Sequence, residues 1–472
     1  MPQILDPAIA GWLLVGFSAL WVSLGYFLGR KSKELDDYML AGRKVGLALG
    51  SATAMATWVT SNTTLVAPEL AYRLGIWGML GYSLGSVGLL LFAPMAARIR
   101  TLMPNGYTSG DFIRLRFGKT AWRIFLLVSL VYSFGWLVSL GAAGGVLIES
   151  LSGIPFAIGA TTILTICVLY TLLGGLKAVI GTDYAQTIII VTGVVIVGAL
   201  TLTVVDLEQV HTRIAETRPK LLDVLMPASV MFLFNNLLFG VGEIFHSNVW
   251  WSRAFAFDRG VGFKAYLLAG VLWIPIPIAA GFIALSAPAL GLGIPSADHV
   301  GPMVAAEVLG TGGAVLLFVV VFSAIASSLD SLLAATSDLV VEDLYRRHLR
   351  PSASNQELRR ASAVVIVLLG ALTWLICILD LATLAQILHL TGALVASTIW
   401  PIAAGLYWRK TNPVGAALGM LLGSTSGIVA YYTIGFYTAA LVGAAVSMAL
   451  VLVATQLRPV EFDWDSLKED HA

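Results

Sequence analysis

Thirteen stretches of about twenty apolar residues follow one another along this chain, and that repetition constrains the fold more than any single motif. A bilayer core about 30 Å thick requires about 20 such residues per helix. The runs lie at 8–29, 46–73, 78–98, 122–150, 155–173, 181–205, 225–250, 264–288, 311–340, 361–380, 384–407, 413–433 and 436–456. None alternates with the two-residue period of a barrel strand, so the predicted class is an all-α polytopic membrane protein with 13 transmembrane helices. Charged residues make up 12% of the chain, about half of what a soluble surface carries. Most of the surface therefore faces the lipid bilayer, and 472 residues leave little room for a soluble domain. A net charge of +1 carries no signal for nucleic acid. The first run is too long for a signal-peptide core and has no basic leader, which predicts a retained span.

The basic residues orient the spans. With the N-terminus outside, 24 of the 28 lysines and arginines fall in inside segments. Only Arg73, Arg213, Arg218 and Lys220 remain outside. That asymmetry is the positive-inside pattern, and an odd number of spans puts the C-terminus inside. Arg253, Arg259 and Lys264 count here as one inside loop. The acidic tail 457–472 reads as a solvated cytoplasmic end.

Polar residues inside a span are costly and so mark function. The second span carries Thr53, Thr57, Trp58, Thr60, Ser61, Asn62, Thr63 and Thr64, followed by Pro68 and Glu69. Such a run makes a poor continuous helix. A broken helix at membrane depth lines a cavity, where its carbonyls coordinate a cation and its half-helix ends face a solute. A Ser/Thr-rich contact between helices is the plainer reading. In the ninth span Ala324, Ser327, Ser328 and Ser331 share one helical face, with Asp330 beside it. Hydroxyls near a carboxylate suit a small alkali cation; a small-residue packing stripe has the same pattern. Asp183 opens the sixth span, either as an interfacial partner of Lys177 or as a coupling charge.

The seventh span contains Asn235, Asn236, Glu243, His246, Ser247, Asn248, Trp250 and Trp251, too polar a mixture for a lipid-facing helix. It either lines a solute path or is buried in protein, and Glu243 and His246 are spaced to pair with each other. Cys167 and Cys377 lie in apolar runs with no disulfide or metal pattern. The histidines form no metal constellation. No Walker A sequence supports an ATP-driven pump, and no catalytic residue is assigned.

These residues resemble the sodium/solute symporter family. The matching stretches are Gly174 through Gln186, Ser323 through Tyr345, Leu35 through Arg43, and Trp251-Ser252-Arg253-Ala254. The resemblance implies a LeuT-like inverted repeat of five plus five helices, here 46–205 and 225–407, with 8–29, 413–433 and 436–456 peripheral. It implies a sodium site made by carbonyls of Ala56 and Val59 and by Ala324, Ser327 and Ser328. Asp183, Asp330 and Ser331 match the places of a second cation. Trp58, Thr60, Asn62 and Thr63 would face the solute, with Asn235, Asn236 and Asn248 on the seventh span. Pro104 through Thr108, Arg116 through Ala121 and Gly310 through Leu317 look closest to the urea-permease branch. The chain departs from that branch at Ser247-Asn248, where Asp-Gln is expected.

The implied function is sodium-coupled uptake of a small polar solute by alternating access, urea or a similar small amide before amino acids, carboxylates or sugars. No arginine is expected in mid-span to grip a carboxylate. Coupling to protons, a passive channel and a sensor module are the rival functions.

Overall fold

The structure, a computed structural model, describes residues 5–29, 35–223 and 225–468. The chain runs through α1 (Pro7–Gly29), α2 (Leu35–Leu40), α3 (Leu47–Trp58), α4 (Ala67–Leu74), α5 (Ile76–Ser83), α6 (Val87–Leu102), α7 (Ser109–Ser152) and α8 (Phe156–Val204). After α9 (Leu207–Thr217) come α10 (Pro227–His246), α11 (Asn248–Ala256), α12 (Val261–Trp273), α13 (Pro275–Ala284), α14 (Ala287–Leu290) and α15 (Val300–Val340). The order closes with α16 (Asn355–Cys377), α17 (Leu384–Ala396), α18 (Ile399–Tyr407), α19 (Pro413–Thr433) and α20 (Ala439–Leu457). Among the described residues no β-strand forms; a single bridge joins Val45, just before α3, to Phe257, just after α11.

Among the described residues eleven helices are long and apolar enough to cross a membrane, two fewer than the thirteen predicted runs. The difference has a local cause. The second run, 46–73, is cut into α3 and α4, and the fifth survives only as the shorter apolar helix Phe156–Leu172. Gly175 ends that helix within α8, where φ is +59°. A Cβ there would lie 2.6 Å from the Tyr38 carbonyl oxygen, so both the turn and the close approach call for glycine.

Outer helices are inside-out relative to a soluble bundle. On α16, Val364, Leu368, Leu372 and Leu375 are exposed, while Ser362, Gly370, Thr373 and Cys377 are buried. Apolar residues outward and small or hydroxyl residues inward is how helices pack when lipid is the solvent. A close backbone approach joins α10 to α6 and the turn just before it. A Cβ on Gly88 would sit 2.4 Å from the Gly240 carbonyl oxygen, and one on Gly240 would sit 2.4 Å from the Gly85 Cα.

Two interruptions position the site. α3 stops at Trp58, and Val59 leaves the helical region at φ −82°, ψ 76°. α10 stops at His246, and Ser247 is extended before α11 begins. Both breaks are buried among the surrounding helices, as non-helical backbone at membrane depth must be.

Candidate functional site

The first break frees backbone carbonyls at two positions. In a continuous helix the Thr60 and Thr63 amides would donate to the carbonyls of Ala56 and Val59. Here the Thr60 amide donates to Thr63 Oγ1 at 3.3 Å, and the Thr63 amide donates to the Thr60 carbonyl at 3.0 Å. Side-chain hydroxyls brace the turn: Thr63 Oγ1 donates to the Trp58 carbonyl (3.0 Å) and Thr64 Oγ1 to the Ser61 carbonyl (3.2 Å). A π-helical stretch, Asn62–Val66, then leads into α4. The dense hydroxyl run thus has a local use, since Thr hydroxyls replace bonds that the broken helix gives up. The side chain of Asn62 lies outside the described residues.

α15 brings its serines to this break. Ser328 Oγ donates to the Ala324 carbonyl at 2.9 Å and lies 3.4 Å from the Thr57 carbonyl. Ala56, Val59, Ala324, Ser327 and Ser328 are all buried. Two segments more than 260 residues apart in the chain therefore meet as facing oxygen groups.

A charged cluster lies next to them. Ser327 Oγ donates to Asp183 Oδ1 (2.5 Å), and Thr53 Oγ1 donates to Asp183 Oδ2 (2.6 Å). Arg253 Nη2 stands 3.3 Å from that same Asp183 oxygen and donates to Thr57 Oγ1 (2.7 Å) and Ser331 Oγ (2.8 Å). Its Nε donates to Thr53 Oγ1 at 3.0 Å. The expected inside loop around Arg253 is corrected here: α11 carries this arginine into the bundle, where it is fully buried. Lys177 is not the partner of Asp183; it pairs at 3.5 Å with Asp37 near the surface. Asp330, one position before Ser331, is fully buried, and neither carboxylate oxygen has a hydrogen-bond partner.

Beside the breaks lies a small aromatic pocket of about 10 Å³, room for about one water. Its walls include Trp58, Thr60, Tyr132, Trp136, Glu243 and Trp273. Trp58 is the hub, with ring centroids 5.6 Å from Trp250, 5.6 Å from Trp273 and 6.5 Å from Trp136. Trp273 Nε1 donates to the Trp58 carbonyl at 2.8 Å, fixing the end of α3. Glu243 is fully buried and does not pair with His246; both its oxygens lie 3.0 Å from Trp250 Nε1. His246 instead packs its ring against Phe125 and Tyr132.

The three asparagines expected at the solute are engaged elsewhere, and none of them lines this pocket. Asn235 Oδ1 accepts from the Ala440 amide at 2.8 Å, at the start of α20. Asn236 Nδ2 donates to the Gly81 carbonyl at 2.8 Å, and its Oδ1 meets His389 at 3.2 Å. Asn248 Oδ1 accepts from the Ser109 amide and its Nδ2 donates to the Ala335 carbonyl, both at 2.9 Å. Conversely, Tyr132, Trp136 and Trp273 line the pocket without having been singled out. In an apolar run an aromatic residue reads as ordinary bundle or interface packing.

Polar ties also join helices away from this pocket. In one, Glu69 of α4 accepts from Thr383 Oγ1 (2.7 Å) and from the Ala385 amide (3.1 Å), and pairs with Arg73 at 2.9 Å. In another, Asp111 in the first turn of α7 pairs with Arg347 beyond α15, while Asp343 accepts from Thr108 Oγ1 (2.7 Å) and Trp122 Nε1 (2.8 Å).

Residues 38–423 match the sodium:solute symporter family. The chain belongs to that family. Among its relatives is the urea-proton symporter DUR3 of Oryza sativa subsp. japonica, 26% identical over 99% of this chain and 73% of the relative. The osmoregulated proline transporter OpuE of Bacillus subtilis is 26% identical over 86% of this chain and 85% of the relative. A solved Na⁺-coupled sialic acid symporter in a substrate-bound, outward-open state has the same fold, with a TM-score of 0.76 at 19% identity over 96% of this chain and 99% of that one. The chain is therefore a multi-pass membrane transporter of the symporter type, not an enzyme.

Proposed function

We propose that this transporter couples sodium entry to uptake of a small polar solute by alternating access, with urea or a similar small amide as the favoured solute. The supporting observation is the approach of Ser328 on α15 to the Thr57 carbonyl at 3.4 Å, beside the break that releases the Ala56 and Val59 carbonyls from helical bonding. Hard oxygen groups in a buried cleft suit a weakly polarising monovalent cation. Sodium bridging α3 and α15 would hold the break in its solute-binding shape. An ion acts on such an equilibrium only through its different affinity for the two states. Each sodium ion moving inward gains about 2.3 kcal/mol per 100 mV, enough for a more than tenfold accumulation of a neutral solute.

Within this reading the chain carries thirteen spans with its N-terminus outside and C-terminus inside, and the inverted repeats are 46–205 and 225–407. Asp183 and Ser331, tied by Arg253, form a charge-balanced brace next to the sodium site. Urea is favoured because the rice relative is named for it.

A second reading couples the solute to protons. It draws on Asp330, a buried acid without a hydrogen-bond partner, and on the proton named for the rice relative. Uptake into proteoliposomes separates the two. Sodium coupling predicts accumulation of labelled urea with an inward sodium gradient and none with choline. Accumulation that ignores sodium and collapses with the pH gradient would replace sodium with the proton.

A further inference from the structure

The aromatic pocket contains polar groups that the packing of the protein leaves incompletely bonded. Glu243 is fully buried and takes hydrogen bonds from Trp250 Nε1 and from Tyr132. A carboxylate offers about four lone-pair sites, so part of its accepting capacity is unused. The indole Nε1 of Trp58 is buried with no hydrogen-bond partner among the described residues. Trp58 lines the same pocket as Glu243. Buried polar groups are normally paired, and an unpaired one costs about 1–3 kcal/mol. An unpaired indole N–H and a carboxyl with spare accepting capacity on one pocket are the imprint of a ligand.

The chemistry of that ligand follows from the hydrogen-bonding character of these two groups. Glu243 requires N–H donors and repels a carboxylate. Trp58 Nε1 can only donate, so it requires an acceptor such as a carbonyl oxygen. The surrounding rings offer flat faces to a planar solute.

We propose that Glu243 and Trp58 set the solute specificity of this pocket: Glu243 accepts the N–H groups, and Trp58 Nε1 donates to the carbonyl, of a small unsubstituted amide of the urea type. This deepens the reading of the chain as a solute symporter and rests on it. Solutes lacking either half are disfavoured. Proline brings a carboxylate against Glu243; guanidinium suits Glu243 by its N–H groups and charge but leaves Trp58 Nε1 without an acceptor.

Equilibrium binding to the purified full chain in detergent tests this. Tryptophan fluorescence is titrated with urea, acetamide, guanidinium and proline at millimolar concentration, in sodium and in choline buffer. The expected order places urea and acetamide above proline. Glu243→Gln weakens urea binding by roughly tenfold or more, as loss of a hydrogen bond to a charged group does. Trp58→Phe keeps the ring, loses the donor, and weakens urea relative to guanidinium. The sodium-induced thermal shift of each variant reports its folding. Wild-type urea affinity in both folded variants, or proline binding more tightly than urea, overturns the proposal. The expected order in choline as well as sodium leaves this inference standing and instead contradicts sodium coupling.

Discussion

The Arg253–Asp183 pair should be strongly coupled energetically, and its strength follows from its burial. Both side chains are fully buried, 3.3 Å apart, and share the Thr53 hydroxyl. Removing one partner of a buried pair leaves an uncompensated charge and costs about 3–5 kcal/mol. Arg253→Gln leaves Asp183 with only the Ser327 and Thr53 hydroxyls, so a loss near the middle of that range is expected. Asp183→Asn leaves a guanidinium still held by Thr53, Thr57 and Ser331, which places it toward the lower end. Combining the two removes both charges. The double variant should then be more stable than the sum of the single losses predicts by about 2–3 kcal/mol, a coupling typical of residues in one network. Equilibrium unfolding in mixed micelles, for wild type and the three variants, measures the cycle. Additive single losses would refute the reasoning, because they would mean that neither group compensates the other's charge.

Three further outcomes follow from the same geometry. Glu69→Ala removes the acceptor that ties α4 to the start of α17, a loss of about 0.5–2 kcal/mol at a helix cap; a cysteine at Thr60, with Cys167 and Cys377 replaced, should react several-fold faster with an impermeant maleimide, and an unchanged rate would show that this tie does not gate the path. Gly240→Ala forces a methyl to within 2.4 Å of the Gly85 Cα, where neither backbone yields easily; a destabilisation of about 1–3 kcal/mol is expected in micelle unfolding, and wild-type stability would contradict the close approach. Asn235→Ala strips the cap from α20 without touching the pocket, so the half-saturation for urea uptake should stay within about twofold while stability falls by about 1 kcal/mol; a large rise in half-saturation would return Asn235 to the solute path.

How far the site was readable from sequence depends on the range of each interaction. The break after Trp58 was legible because the hydroxyls of Thr60, Thr63 and Thr64 act within five residues, and a Thr-rich run followed by Pro68 is a local signal. The α15 face was legible from helical periodicity alone. Arg253 was misread because its distance from Asp183 is 70 residues in the chain and 3.3 Å in space. By charge count it belonged in a loop, and only the second break at Ser247 turns α11 inward. Asn235, Asn236 and Asn248 attracted attention as polar residues in a span, yet each satisfies a backbone group on another helix. The rule that intramembrane polar groups mark function does not distinguish those that bind a solute from those that join helices. Glu243 was visible, but its aromatic surroundings came from α7 and α12, whose tryptophans and tyrosines look alike whether they face lipid, core or cavity.

Direct binding of radiolabelled sodium to the purified chain, compared between wild type and the Ser327→Ala/Ser328→Ala double variant, puts the central claim to its most immediate test. A saturable site in the wild type, weakened at least tenfold in the double variant while the protein remains folded, is the predicted result. Sodium binding of equal affinity in both proteins, or none in either, would contradict an ion held between α3 and α15.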